Sequence, residues 1–150
     1  MAQTLIHTLV EGCRAGQLAA CVAKLPSGWV IMGERQVLSG YCLLLPDPVV
    51  PDLNALESGA RSRFLLDMSE VGDALLEVTG ALRINYAIYG NVEPALHAHI
   101  FPRSALEPEA TRTAQPWALD WGAAPQYSDA VHGALKSGLK DALKRRIQQG

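Results

Sequence analysis

Two histidines, His97 and His99, stand one residue apart in the stretch ALHAHIFPR, which spans residues 95–103 and ends in a proline–arginine pair. Alternate side chains of a strand share a face, so both imidazoles would lie on one surface, about 6–7 Å apart, with Arg103 further along it. A neutral imidazole can attack phosphorus, a protonated one can donate to an oxyanion, and a guanidinium can hold phosphate through two hydrogen bonds. This row of side chains predicts a site for an anion with several oxygens.

Two other interpretations of the pair compete with catalysis. The histidines could be solvated side chains on a strand edge, or they could be two ligands of a metal ion. A metal site needs three or four protein ligands. The other two histidines, His7 and His132, fall on predicted terminal helices, and no cysteine stands at ligand spacing. We therefore predict no metal site, and a zinc-binding structural domain is the weakest interpretation.

The composition is that of an ordinary globular protein and predicts a single domain over residues 1–150. Hydrophobic residues make up 49% and charged residues 19% of the chain, and the net charge is −2. This charge gives no reason to expect nucleic acid or an anionic membrane as a partner. Three cysteines without a CxxC pair indicate reduced thiols. With no signal-peptide pattern and no membrane-spanning apolar run, we expect a cytoplasmic protein.

The apolar periodicity predicts an α+β fold: an antiparallel sheet of about five strands, a long central helix and terminal helices. Tight turns between consecutive strands favour antiparallel pairing, and we expect the helices on one face of the sheet. Proline-rich residues 105–127 look irregular. The predicted elements are a helix at 4–16, strands in ACVAKL, GWVIMG and YCLLLP, a helix at 54–79, strands in RINYAIY and ALHAHIFPR, and a helix at 128–147 capped by Ser128.

The segment GNVEPALHAHIFPR resembles the signature strand of the histidine triad (HIT) superfamily of nucleotide hydrolases and transferases. That signature is His-φ-His-φ-His-φ-φ, commonly followed by Pro-Arg. Upstream, SGYCLLLPDPVVPDLNAL and RINYAIYGN resemble the segments that precede it in the family. The resemblance covers about residues 20–103 in the family's order of elements, which leaves residues 104–150 as a C-terminal extension. The bare His-x-His pair is a weak signal, whereas this ordered match is a strong one.

Aligned on the proline–arginine pair, the triad of this chain is degenerate. His97 falls on the middle histidine, which is the family's nucleophile, and His99 falls on the third. The first position is Ala95, and an upstream loop histidine of the family falls on Val49. Both replacements remove groups that would orient or polarise the reactive imidazole, while the nucleophile itself is kept.

The resemblance implies covalent catalysis at the α-phosphorus of a nucleotide. His97 would form a nucleotidyl-histidine intermediate, and His99 would stabilise the phosphate or the leaving group. Dinucleoside polyphosphates such as diadenosine tetraphosphate, nucleoside phosphoramidates, and acyl- or sugar-linked nucleotides are candidate substrates. The covalent step requires no cofactor, and a polyphosphate substrate would bring Mg²⁺ with it. The alternative is a nucleotide-binding HIT-like protein with little or no turnover, which the replacements at Ala95 and Val49 favour.

Three further residues are candidates for substrate binding. Asn85 lies in the strand expected to pair with the histidine strand, and the family places a polar residue near there to bind phosphate or ribose. Asn91, at the turn Gly90-Asn91, has either a binding role or a turn role. Arg103 shares the face of the histidines. The sequence does not decide whether Trp117 and Trp121 cover the site or pack beneath it.

We also expect a homodimer, because HIT proteins of this size commonly pair through the long helix and an edge of the sheet. Leu65, Leu66 and Leu76 widen the apolar surface of that helix beyond the stripe that one sheet needs. An antiparallel sheet of five strands also leaves edges that must be covered or paired. The alternative is that the C-terminal helix covers the extra apolar width.

Overall fold

A computed structural model describes residues 1–149 and confirms the predicted α+β architecture. The long helix begins four residues later than predicted, because residues 53–55 form a short 3-10 turn that the Asp52 side chain caps. The elements are α1 (Leu5–Arg14), β1 (Cys21–Leu25), β2 (Gly28–Met32), β3 (Cys42–Pro46), α2 (Ser58–Thr79), β4 (Arg83–Ile88), β5 (Ala98–Arg103) and α3 (Asp129–Gln149).

The five strands form one antiparallel sheet in the order β1-β2-β3-β5-β4. The histidine strand β5 therefore lies inside the sheet, between β3 and β4. His99 pairs with Leu43 of β3 on one side and with Ala87 of β4 on the other. Because β5 is held on both sides, the position of the His99 backbone is fixed by two ladders of hydrogen bonds.

Both faces of the sheet are covered, and the expectation that all helices pack on one face is wrong. The helices α2 and α3 cover one face, where Phe64 and Leu139 pack in the same cluster as Leu44. The helix α1 packs on the opposite face, where Val10 joins a second cluster with Leu45. The reason lies in β3: Leu44 and Leu45 point to opposite faces and both are fully buried, as a continuous apolar run predicts for a strand covered on both sides.

The ends of the helices follow from local sequence. Gly80 ends α2 in a left-handed conformation with φ of 68°, which glycine adopts without steric cost. Ser128 precedes α3, and its hydroxyl accepts a hydrogen bond from the Val131 N–H, as predicted. None of the helices within residues 1–149 is long and apolar enough to cross a membrane.

The helix α3 does not cover the extra apolar width of α2. Leu65, Leu66 and Leu76 remain 37%, 48% and 36% exposed with α3 in place, while α3 packs elsewhere on α2, with Gly138 against Val78. The apolar surface that the sequence predicts on α2 is therefore exposed in the single chain.

Candidate functional site

The ring of His97 is oriented by the backbone of the residue two positions before it. His97 Nδ1 lies 2.7 Å from the carbonyl oxygen of Ala95, and the side chain is buried at 8% exposure. A carbonyl oxygen can only accept a hydrogen bond, so Nδ1 carries the proton. In the neutral ring, Nε2 then holds a free lone pair. This is the tautomer that a nucleophilic imidazole requires.

A hydrogen bond with a tyrosine gives His99 the opposite tautomer from that of His97. The hydroxyl of Tyr41 lies 2.7 Å from His99 Nδ1. Burial raises the pKa of Tyr41, so its hydroxyl stays protonated. Within residues 1–149 the one hydrogen-bond partner of that hydroxyl is His99 Nδ1, so we assign the hydroxyl as the donor and Nδ1 as the acceptor. Burial, helped by the neighbouring His97, lowers the pKa of His99 to about 4. His99 is thus neutral near pH 7, and its remaining proton is on Nε2.

The two imidazoles are complementary. Their ring centroids are 4.9 Å apart, with an interplanar angle of 74°. His97 offers a lone pair at Nε2 and His99 offers an N–H donor at Nε2. A lone pair can attack an electrophile while a neighbouring N–H stabilises negative charge on its oxygens, so the pair suits nucleophilic attack on an anionic centre.

Both histidines line an open cavity of about 450 Å³, which is within the range for small-molecule sites. Its walls come from the loop after β4, from β5 and from the C-terminal segment. The lining residues are Tyr89, Gly90, Asn91, Val92, Glu93, His97, His99 and Trp117. Of the three residues predicted to bind substrate, the structure therefore places only Asn91 beside the histidines.

No lysine or arginine is among the residues that line this cavity in the described part of the chain. The charged side chain there is Glu93, whose carboxylate accepts a hydrogen bond of 2.7 Å from the Leu5 N–H at the start of α1. Stabilisation of a phosphate in this cavity therefore falls to neutral donors. The neutral side-chain donors among the lining residues are the His99 Nε2–H, the Asn91 amide, the Tyr89 hydroxyl and the Trp117 indole N–H.

Arg103 makes its hydrogen bonds within the protein and does not line the cavity of the histidines. Its side chain is 8% exposed and forms an ion pair of 2.8 Å with Glu107. The guanidinium also donates to Asn85 Oδ1 at 2.9 Å and to the carbonyls of Thr111, Arg112 and Ala114. Because all its N–H groups have protein acceptors, Arg103 holds the 104–114 loop on the sheet and has no donor free for a phosphate.

Asn85 is hydrogen-bonded to Arg103 and also lies outside the histidine cavity. Its strand β4 pairs with β5, as predicted, and this pairing sets Asn85 opposite Phe101. However, its carbonyl oxygen accepts from Arg103, and its side chain lines a neighbouring cavity of about 870 Å³ with Arg103. The structure therefore places Asn85 and Arg103 outside the cavity that the histidines line, and their binding of substrate stays a prediction. Tyr89 and Trp117 line both cavities and form the wall between them.

The two tryptophans of the C-terminal segment cover the histidine strand. The rings of Trp117 and His99 meet edge to face at 4.8 Å between centroids. Trp121 stacks on Trp117 at 5.1 Å, and its Nε1–H donates to the carbonyl of Pro116. Phe101 lies beneath both tryptophans. The segment after β5 therefore forms one wall of the site.

Reasoning from sequence missed Tyr41 and Tyr89. Tyr41 begins the run YCLLLP, where its polar hydroxyl was a signal that the residue does more than fill the core. Which histidine it meets depends on the pairing of β3 with β5, which joins residues more than fifty positions apart. Within residues 1–149, no group of three or more His, Cys, Asp or Glu side chains is arranged to hold a metal ion.

Comparison with solved structures identifies the fold. A histidine triad protein from Marinobacter aquaeolei VT8 superposes with a TM-score of 0.74 at 18% identity, over 96% of this chain and 98% of that one. A histidine triad protein from Bradyrhizobium japonicum gives a TM-score of 0.71 at 22% identity, over 87% and 94%. The chain has the fold of the histidine triad superfamily, which confirms the resemblance read from the sequence.

A third structure is that of a hypothetical histidine triad nucleotide-binding protein from Sulfolobus tokodaii strain 7. It matches with a TM-score of 0.71 at 12% identity, over 92% of each chain. No family model matches the sequence, and no curated protein matches it either. The likeness to these proteins therefore lies in the fold.

Proposed function

We propose that this protein binds a nucleotide in the histidine cavity and cleaves it at the α-phosphorus, with His97 as the nucleophile. The observation that carries the proposal is the hydrogen bond of 2.7 Å between His97 Nδ1 and the Ala95 carbonyl. It leaves the Nε2 lone pair free, beside a cavity that a phosphate can enter. The histidine triad fold and the name of the Sulfolobus tokodaii protein, which describes nucleotide binding, support the ligand class.

In the proposed reaction, His97 Nε2 attacks the α-phosphorus and the bond to the leaving group breaks. The leaving group is a phosphate chain, an amine or an acyl group. Water or another acceptor then attacks the nucleotidyl-histidine and regenerates the imidazole. The N–H of His99 donates to a phosphate oxygen as negative charge builds in both steps. Hydrolysis and transfer differ only in the acceptor.

The experiment is a panel of adenine and guanine nucleotides, tested both for binding and for cleavage. It includes dinucleoside tetraphosphates with Mg²⁺, nucleoside 5′-phosphoramidates and acyl nucleotides. We expect His97→Asn to lose at least about a thousandfold in kcat, with Kd for a nucleoside monophosphate changed less than threefold. His7→Gln is the matched control, because His7 bonds to Thr4 at the start of α1, outside the cavity. Turnover that persists in His97→Asn refutes the assignment.

The competing function is nucleotide binding without turnover. It is favoured by Ala95, which is 1% exposed in an apolar cluster and puts no polar group at the first triad position. The same panel separates the two functions. Micromolar binding with no cleavage of any substrate supports the binding protein, and cleavage that His97→Asn abolishes supports the enzyme.

A further inference from the structure

Two cysteines outside the histidine cavity lie side by side. Cys13 is in the last turn of α1 and Cys21 is the first residue of β1. Between them the chain folds back, because the Leu18 N–H donates to the Gly12 carbonyl and the Cys21 N–H donates to the Leu18 carbonyl. Both cysteines belong to the cluster between α1 and the sheet, and each is close enough to the other to shift its pKa.

The two thiols are not equivalent. Cys13 is 4% exposed, whereas Cys21 is partly exposed. The neighbouring Cys13 thiol lowers the pKa of Cys21; burial opposes this effect, and the charges of Lys136 and Lys140 reinforce it. The Cys21 thiol in turn raises the pKa of Cys13, and burial adds to the rise. Cys21 is therefore the thiol that ionises first and is accessible to solvent, and Cys13 is its buried neighbour.

The third cysteine provides an internal comparison. Cys42 is fully buried in β3, where its thiol donates to the Gly40 carbonyl at 3.2 Å and lies against the Met32 sulfur. Burial raises its pKa. It has neither an exposed sulfur nor a second cysteine as a neighbour, so it is expected to be inert toward oxidants.

We propose that Cys13 and Cys21 are a redox pair, which a peroxide converts into an intramolecular disulfide between α1 and β1. The Cys21 thiolate attacks one oxygen of hydrogen peroxide; the O–O bond breaks, hydroxide leaves and takes a proton, and Cys21 becomes a sulfenic acid. The Cys13 sulfur then attacks the Cys21 sulfur. The S–O bond breaks, the S–S bond forms, and the oxygen leaves as water with the thiol proton. Two thiols are oxidised and one peroxide is reduced to two waters.

This pair is a modification site distinct from the proposed nucleotide chemistry. It shares the cluster beneath α1 with Ala95, so the cross-link would tie α1 to the sheet on the face that carries the histidines. A thiol reductant reverses it by exchange. Its readout is the state of the thiols, which does not depend on whether the protein turns over any nucleotide.

The test is a titration of free thiols in the denatured protein, before and after exposure of the native protein to hydrogen peroxide. We expect the count to fall from three to one, with a mass decrease of two hydrogens and a cross-linked peptide pair that contains Cys13 and Cys21. In Cys13→Ser, Cys21 should stop at the sulfenic acid and be trapped by dimedone. In Cys42→Ser, the count should fall from two to zero.

Three results would overturn the proposal. One is a count that stays at three under peroxide. Another is oxidation of Cys21 to the sulfinic acid in the wild-type protein with Cys13 still reduced. The third is a disulfide found only between chains, seen as a dimer on a non-reducing gel. All three results are measured on the wild-type protein, so the test holds even if a cysteine variant fails to fold.

Discussion

Replacing Arg103 by alanine should cost stability and leave ligand affinity unchanged, which is the reverse of what a phosphate-binding arginine would show. The change removes the partner of Glu107, whose side chain is 9% exposed. Burial opposes ionisation of Glu107, but the hydrogen bonds from Arg103 and from the Ser104 N–H outweigh burial and lower its pKa. Without Arg103, a largely buried carboxylate loses the charge that compensates it.

The magnitude follows from what the guanidinium holds. Breaking a buried ion pair by removing one partner costs about 3–5 kcal/mol. The Thr111 and Arg112 carbonyls accept at 3.3 Å from a surface loop and can regain water, so they add little. We therefore expect a loss of about 3 kcal/mol in the free energy of unfolding. With a urea dependence of about 2 kcal/mol per molar, the midpoint should fall by about 1.5 M.

The assay is urea unfolding followed by tryptophan fluorescence, because Trp117 and Trp121 lie on the segment that Arg103 helps to hold. Arg112→Ala is the matched control: it removes an exposed arginine from the same loop and should move the midpoint by less than about 0.3 M. In Arg103→Ala/Glu107→Ala, part of the lost stability should return, with a coupling free energy of about 1–3 kcal/mol.

Nucleoside monophosphate affinity is measured on the same variants, in the absence of urea. The structural role predicts a Kd within threefold of the wild-type value for folded Arg103→Ala. If the urea midpoint is unchanged and the Kd rises tenfold or more, Arg103 is a phosphate ligand. The reasoning from its hydrogen bonds would then be wrong, and the interpretation from the sequence would be right.

Three further predictions concern Tyr41, His99 and the exposed face of α2. Tyr41→Phe removes the hydrogen bond that fixes the His99 tautomer. If that bond contributes about 1 kcal/mol to stabilising the transition state, kcat should fall about fivefold to tenfold. An unchanged kcat in steady-state assays would contradict this. The folded-state pKa of His99 is about 4, below the unfolded value, so the unfolded chain binds the proton first. The free energy of unfolding should therefore fall by about 3 kcal/mol as the pH falls from about 6.5 to 4. Urea titrations should show a smaller fall in His99→Gln. The protein should be a dimer by light scattering at micromolar concentration, and Leu66→Glu should yield the 16.1 kDa monomer; a wild-type monomer would exclude a stable dimer.

The strands and the long helix could be predicted because each depends on a local apolar pattern. The alternation of RINYAIY and the stripe through Phe64, Val71 and Leu75 are visible in one window of sequence. The structure has a strand at Arg83–Ile88 and buries all three stripe residues of the helix. An exposed apolar residue such as Leu65 does not obscure the stripe, because the stripe is defined by the positions that face the core. The end of the helix is also a local signal, because Gly80 directly follows the stripe and adopts the positive φ that favours glycine.

The partners of the site residues could not be predicted in the same way. Whether Arg103 meets a phosphate or Glu107 depends on how the 104–114 loop folds back, and no periodic pattern governs that segment. The contact of Tyr41 with His99 depends on the register between β3 and β5. A shift of one residue in that register would turn the tyrosine to the other face of the sheet. Long-range pairing therefore decides the chemistry that local sequence leaves open.

The replacement of the first triad histidine by Ala95 bears less on the proposed chemistry than the sequence suggests. In the structure, Ala95 orients His97 through its backbone carbonyl, which any residue at that position would supply. The bond fixes the tautomer and the direction of the lone pair, and these are the properties that a nucleophilic imidazole needs. What a histidine side chain at position 95 could add is polarity in a cluster that here contains Ile6 and Val10. Ala95→His should therefore alter the rate of the proposed reaction without being required for it, whereas loss of His97 should abolish it.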